Sequence, residues 1–434
     1  MNGIRSVLRK KVPSSTAIKV LRKVFAMPAP AARLLLNDIS RPRKSHKSWI
    51  SKVPWNNDWS GCWIGENVHK LNPAEIQSRV EAADVVLFNV HGGGFRIGTC
   101  TMYMDTNLAW INVLKEKYGL TVMIMSIDYR LAPEYRYPSP VEDVVRAYEC
   151  LTQTMGVPGE KIVAIGDSAG AALILETLFI THDPSMFEIV TDDPEDSNAS
   201  EGGSGGPVLS ELPRPAGTVL VSPLVTDETT SESWRVNVEF DYISQHTAKV
   251  IKRDYFEPQD QDPDTPPESN RVLGIAKLQT GFQAFLSPNV LMYIGDKEVL
   301  RDDALDLAEK AEQDGVNWQT VVEDCVHDWF CVREVVKDHS ILERADSIFA
   351  DFVYRSVIQP RETEHALEAL SFRRASEGLE VVLEDDEDDD EDDEVFHEAM
   401  TGTELSFDKA MMKKLDALGI NDPDAKRSTL TVYV

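Results

Sequence analysis

The stretch Lys161-Ile-Val-Ala-Ile165, Gly166-Asp167-Ser168-Ala169-Gly170, Ala171-Ala-Leu-Ile-Leu175 decides the fold. An apolar run short enough for a buried strand meets a turn of small residues with a Ser at its tip, and an apolar helical run follows. Small residues two before and two after the Ser let the backbone take a strained turn that leaves the hydroxyl exposed, the geometry of a nucleophile elbow. With 24 Gly in 434 residues, this pattern alone arises by chance in about one comparable chain in ten.

A second stretch, His91-Gly92-Gly93-Gly94-Phe95, follows the apolar run Asp84-Val-Val-Leu-Phe-Asn-Val90. Consecutive glycines let main-chain N–H groups approach a ligand with no Cβ in the way, which an oxyanion-binding site requires. Further strand-like runs lie at 121–127, 161–165, 217–221, 289–294 and 319–323, separated by helical patterns near 102–118, 140–155, 169–181 and 301–314. This alternation predicts an α/β fold, a mainly parallel sheet flanked by helices, with its ligand site at the carboxyl ends of the strands. Both motifs sit at such ends.

A Ser hydroxyl needs a base, and the base needs a carboxylate to orient it. If the chain order is Ser, acid, His, the base lies after the last strands. His327, in Glu323-Asp-Cys-Val-His327-Asp328-Trp329-Phe330, follows the run 319–323 directly. The acid is expected just after the strand 289–294, in Gly295-Asp296-Lys297-Glu298-Val299-Leu300-Arg301-Asp302-Asp303. Spacing favours Glu298, with Asp296 the alternative, while Asp302 and Asp303 are expected to start the next helix.

The chain resembles the hormone-sensitive-lipase family of α/β-hydrolases, which includes microbial esterases, arylacetamide deacetylases and steryl-ester or steryl-acetate hydrolases. The resemblance rests on His91–Phe95, Asp128-Tyr-Arg-Leu-Ala-Pro-Glu134, Tyr137-Pro-Ser-Pro-Val-Glu-Asp143, Gly166–Gly170, Ser222-Pro223, Glu298-Val-Leu-Arg-Asp302 and His327-Asp-Trp-Phe330. It spans about 85 to 330 and implies a cofactor-free, metal-free serine carboxylic-ester hydrolase working through an acyl-enzyme on apolar esters. The resemblance makes Ser168 the nucleophile, His327 the general base and then acid, and Glu298 the acid where the family usually has Asp. It gives the oxyanion hole to the amides of Gly93, Gly94 and Ala169, with His91, Gly92 and Asp167 in support; Tyr129, Arg130 and Glu134 are read as scaffold. Plant gibberellin receptors, noncatalytic, share the Gly and Ser motifs but lack the His, so His327 favours an enzyme over a small-molecule receptor.

Charge and composition frame this centre. The net charge of −29 is uneven: residues 1–52 hold thirteen Lys and Arg against Asp38 alone, and residues 384–394 are eleven consecutive acids. The acidic tail argues against nucleic acid as partner. Cys62, Cys100, Cys150, Cys325 and Cys331 form no CxxC pair, which suggests reduced thiols, no zinc site and an intracellular, cytoplasmic or peripherally membrane-associated protein. The acid-poor N-terminus also fits the loose description of a mitochondrial transit peptide.

The domains expected are a basic arm with cap helices at 1–60, the α/β-hydrolase domain at 61–355, and an acidic, largely disordered tail at 356–434. Within the central domain, 181–217 reads as a disordered insertion and 227–287 as a helical cap. Within 15–36, apolar Ile18, Val20, Leu21, Val24 and Phe25 alternate with Lys19, Arg22 and Lys23. A helix of this kind suits either an anionic lipid or lipid-droplet surface or a lid over the site. Trp49, Trp55, Trp59 and Trp63 read as a packed flap.

Overall fold

The computed structural model describes residues 13–56, 58–182, 211–257, 274–376 and 431–433. Six strands carry the apolar runs: β3 (Val85–Val90), β4 (Val122–Ile127), β5 (Ile162–Asp167), β6 (Gly217–Val221), β7 (Asn289–Gly295) and β8 (Asn317–Glu323). Their residues are buried almost without exception, which explains continuous apolar runs where a half-exposed sheet would alternate. β3 pairs in parallel with both β4 and β5, and β5 to β8 continue in parallel order. The edge beyond β4 is antiparallel: β2 (Gly61–Ile64) pairs with β4 and β1 (Ile50–Val53) with β2. Sequence periodicity misses these two because each has only four residues. A short strand, β9 (Thr431–Tyr433), pairs in parallel with β8.

Helices cover the sheet. α1 (Ser14–Ala26), α2 (Ala29–Ile39) and α3 (Pro73–Glu81) precede β3; α4 (Met104–Tyr118), α5 (Ser139–Glu149) and α6 (Ala169–His182) follow β3, β4 and β5. α4 packs against a helix the sequence reading omits, His339–Val353, and α5 packs against α6. α6 is apolar on nearly every face and correspondingly buried, as expected of a central helix rather than a surface one. Trp110 of α4, Phe330, Phe349 and Tyr293 of β7 form one ring cluster with centroids 4.0–6.1 Å apart. Trp59 and Trp63 are buried edge to face at 5.7 Å, whereas Trp55 is half exposed.

The cap segment contributes α7 (Glu232–Val236), α8 (Gln245–Ile251) and α9 (Phe282–Phe285), and α10 (Arg301–Gln313) follows β7. Asp302 and Asp303 lie in the first turn of α10, but its N-cap is Leu300. Asp302 instead accepts the Ser233 N–H at 2.7 Å, tying the start of α7 to α10. In chain order α11 is His339–Val353 and α12 is Gln359–Ser376. The chain forms two compact units, Met1–Val357 with Leu430–Val434, and Ile358–Thr429. The segment expected as a disordered tail therefore begins with a helix, because 359–376 contains no Gly and only one Pro, at its second position. The acidic run 384–394 and 183–210 of the expected insertion lie outside the described residues.

Candidate active site

Ser168 sits between β5 and α6 with φ +49°, a left-handed value that side-chain-bearing residues adopt at a cost, so neighbouring contacts must hold it. Its N–H donates to the Val221 carbonyl at 2.8 Å and its carbonyl accepts the Leu224 N–H at 3.1 Å. Gly170 has no alternative: a Cβ there would lie 2.1 Å from the Val90 carbonyl oxygen. The start of α6 is thus pressed against the end of β3, where the glycine loop begins.

His327, in the turn after β8, places Nε2 2.9 Å from Ser168 Oγ. Its Nδ1 is 3.7 Å from Glu298 Oε2, and both side chains are fully buried. Asp296, two residues earlier in the same turn, points outward and pairs with Arg301 at 2.9 Å. The fold therefore brings Glu298, not Asp296, to the imidazole. Ser222 Oγ donates to Glu298 Oε2 at 2.6 Å and accepts the Asp328 N–H at 2.9 Å, linking the acid turn to the His turn. Asn237 donates to the carbonyls of Asp296 and Glu298 at 3.0 and 2.9 Å, and Asp241 accepts the Val299 N–H at 2.8 Å.

The glycine loop rests on the elbow. Gly92 N–H donates to Asp167 Oδ1 at 2.9 Å, and Tyr103 O–H donates to Asp167 Oδ2 at 2.8 Å. Gly93 has φ +111°, and a Cβ there would meet the Ile97 carbonyl oxygen at 2.1 Å, so only Gly fits this turn. The Gly93 and Gly94 amides donate to no backbone acceptor among the described residues, which leaves them available for an oxyanion beside the amide of Ala169. His91 stacks on Tyr129 at 4.5 Å, and Tyr129 O–H donates to the His91 carbonyl at 2.8 Å. These two hold the loop from behind. Arg130 pairs with Asp143 and Glu142 and is likewise scaffold.

A small cavity opens over Ser168, His327 and Gly94. Phe25, Leu224, Trp234, Ile243, Ile251 and Phe256 supply its apolar wall, with the consecutive Thr226, Asp227, Glu228 and Thr229 also lining it. Phe25 comes from α1, so the N-terminal helix forms part of the roof. Arg22 Nε donates to the Asp241 carbonyl at 3.0 Å, and the same guanidinium donates to the carbonyls of Val238 and Glu239 at 3.1 and 3.0 Å. On the other side, the buried pair Arg96–Asp254, at 2.7 Å, joins the glycine loop to the cap, and Arg96 also donates to the Met27 carbonyl at 3.2 Å. Of the supporting residues not assigned roles in the sequence, Ser222 carried a signal in the Ser-Pro pair. Asn237, Asp241 and Arg22 carried none, because their partners lie far away in the chain.

Burial dominates the electrostatics. It pushes the Glu298 carboxyl up to about 8 against the Ser222 hydrogen bond, and Asp167 up to about 7 against the Tyr103 hydrogen bond. It pushes the His327 imidazole down to about 4, with Asp241 opposing. Carboxyls raised in the folded state contribute stability at low pH and lose it as pH rises through their folded values. A lowered imidazole does the reverse, losing its contribution as pH falls from its unfolded value near 6.5 through about 4. Thermal unfolding is therefore expected at lower temperature near pH ~8.5 than near pH ~6, with about 1.4 kcal/mol lost per pH unit for each carboxyl forced to ionise. A melting temperature that is flat or rising over that interval contradicts this arrangement.

A family model described as alpha/beta hydrolase fold matches residues 87–331. Lipase 2 of Moraxella sp. (strain TA144) is 27% identical over 301 residues, 68% of this chain and 65% of that protein. An esterase of Acinetobacter venetianus is 28% identical over 240 residues, 55% of this chain and 65% of that protein. The chain thus spans just under two thirds of the length of these relatives. Among solved structures, an esterase from the bacterial hormone-sensitive lipase (HSL) family superposes with a TM-score of 0.56 at 24% identity, covering 79% of this chain and 98% of that one. At that identity the likeness speaks to the fold.

Proposed function

The chain belongs to the α/β-hydrolase fold family matched over residues 87–331, and from that premise we propose that it is a serine carboxylic-ester hydrolase acting on apolar esters. The observation that carries the reading is the 2.9 Å contact between His327 Nε2 and Ser168 Oγ at the floor of an apolar cavity. In this reading His327 takes the Ser168 proton as Oγ attacks the ester carbonyl, and the Gly93, Gly94 and Ala169 amides hold the oxyanion. His327 returns the proton to the departing alcohol, and water then releases the acid from Ser168 by the reverse sequence. Glu298 stabilises the imidazolium at Nδ1. Each oxyanion donor is worth on the order of 10²–10³ in kcat. The names of the Moraxella lipase and the Acinetobacter esterase support the same reaction class.

Phe25 and Phe256 are among the residues lining the cavity, and bulky rings at these positions support a preference for short to medium acyl chains. A series of p-nitrophenyl esters from acetate to decanoate, run beside a steryl ester on anionic vesicles, tests this. The wild type is expected to peak at short to medium chains. Phe25→Ala is expected to move the optimum to longer ones, by roughly three- to fourfold in kcat/KM per added methylene accommodated. An optimum unmoved by Phe25→Ala removes α1 from the substrate pocket. Lys19 and Lys23 are exposed on α1, which supports contact with an anionic lipid surface. Lys19→Glu with Lys23→Glu is expected to slow only the vesicle-borne substrate, and equal slowing of soluble esters counts against the lipid contact. Point changes are preferable to deleting the arm, which would take Phe25 from the roof.

A further inference from the structure

His327 is flanked by carboxyls on both ring nitrogens, and the reaction uses only one of them. Glu298 Oε2 lies 3.7 Å from Nδ1, while Asp328 Oδ2 lies 3.2 Å from Nε2, the nitrogen that also faces Ser168. Asp328 is 2 % exposed, has φ +53°, and leaves Oδ1 without a hydrogen-bond partner among the described residues. Tyr242 O–H donates to Oδ2 at 3.3 Å. Burial and the neighbouring charges of Asp167, Glu298 and Asp241 hold its carboxyl well above the usual range. Tyr103 and Cys331 also face it.

A neutral imidazole has one N–H, and an adjacent carboxylate draws that hydrogen to its own side. With the charge on Glu298, the hydrogen sits on Nδ1 and Nε2 offers its lone pair to the Ser168 hydroxyl. With the charge on Asp328, the hydrogen sits on Nε2 and no base faces Ser168. Two full charges so close in a buried site are costly, so the carboxyls compete for one. The 2.6 Å bond from Ser222 favours the charge on Glu298, whereas Asp328 has only the longer bond from Tyr242 and the repulsion of Asp167.

We propose that Asp328 is a positioning residue that competes with Glu298 for the charge orienting His327, so that the imidazole tautomer, and with it the basicity of Nε2, is set by which carboxyl is ionised. This rests on the esterase reading above. It makes the site productive while Asp328 is neutral and closes it at alkaline pH, when Asp328 ionises and holds the Nε2 hydrogen.

The test compares the full-length wild type, Asp328→Asn, Asp328→Gly, Glu298→Gln and the double variant Glu298→Gln/Asp328→Asn. Glycine adopts φ +53° without strain, so Asp328→Gly guards against a mere folding defect. The alkaline limb of kcat/KM for p-nitrophenyl butyrate is expected in the wild type and is lost or displaced upward in both Asp328 variants. The double variant is expected to exceed Glu298→Gln by about tenfold, because removing Asp328 frees the misoriented imidazole. In ¹⁵N-histidine spectra, assigned with His327→Gln, Glu298→Gln is expected to place the hydrogen on Nε2 and the double variant to release it. An alkaline limb shared by all forms, a double variant no faster than Glu298→Gln, or an Nε2 hydrogen in Glu298→Gln that stays in place when Asp328→Asn is added overturns the proposal. A wild type that hydrolyses no ester overturns the esterase reading instead, and the spectra still decide on Asp328.

Discussion

Ser168→Ala is expected to lower kcat for p-nitrophenyl butyrate by on the order of 10⁴–10⁶, leaving the fold and substrate binding in place. Among the described residues the Ser168 hydroxyl is the one alcohol within hydrogen-bond reach of His327 Nε2, and Ala is accommodated because it keeps the elbow's backbone bonds to Val221 and Leu224. What survives is the contribution of the oxyanion amides and the cavity. His327→Ala is expected to cost about as much, and the double variant little more, since the two residues act as one unit. Steady-state kinetics on the three variants check this. A Ser168→Ala enzyme retaining a tenth of the wild-type rate would remove Ser168 from the reaction, and losses that multiply in the double variant would contradict its acting as one unit with His327.

Glu298→Gln should lower kcat by on the order of 10²–10⁴, while Asp296→Asn changes it less than about threefold. Gln keeps the volume and can still meet Ser222, but it cannot stabilise the imidazolium or favour the Nδ1–H tautomer. Asp296 pairs with Arg301 at the surface, an interaction worth on the order of 1 kcal/mol or less. Because burial raises the Glu298 carboxyl to about 8 and its ionised form is the one that orients His327, wild-type activity is also expected to rise with pH up to that region. A Glu298→Gln rate equal to wild type, or an Asp296→Asn rate below it, would exchange the roles.

The parallel sheet was legible because β3 to β8 are buried on both faces, and continuous apolar runs say so directly. Ser168 and His327 were legible because strand ends fix where functional groups can stand. β1 and β2 were not, since four residues carry too little pattern, and the helix at 339–353 was passed over although its buried Leu342, Ala345, Phe349 and Phe352 follow helical spacing. The choice between Glu298 and Asp296 turns on which carboxylate the turn after β7 sends inward: Glu298 lies 3.7 Å from His327 Nδ1, and Asp296 pairs with Arg301. The N-terminal helix was readable as amphipathic but not as a roof: Arg22 and Phe25 gain meaning only from carbonyls and rings more than two hundred residues away. Asp328 carries no signal in the sequence, because its approach to Nε2 depends on a left-handed turn.

The most direct measurement is rapid-quench mass spectrometry of the wild-type chain mixed with excess p-nitrophenyl butyrate. A transient butyryl adduct is expected on the peptide containing Ser168, absent in Ser168→Ala and slow to form in His327→Ala. Turnover with the acyl group on another residue, or adduct formation at an undiminished rate without His327, would contradict it.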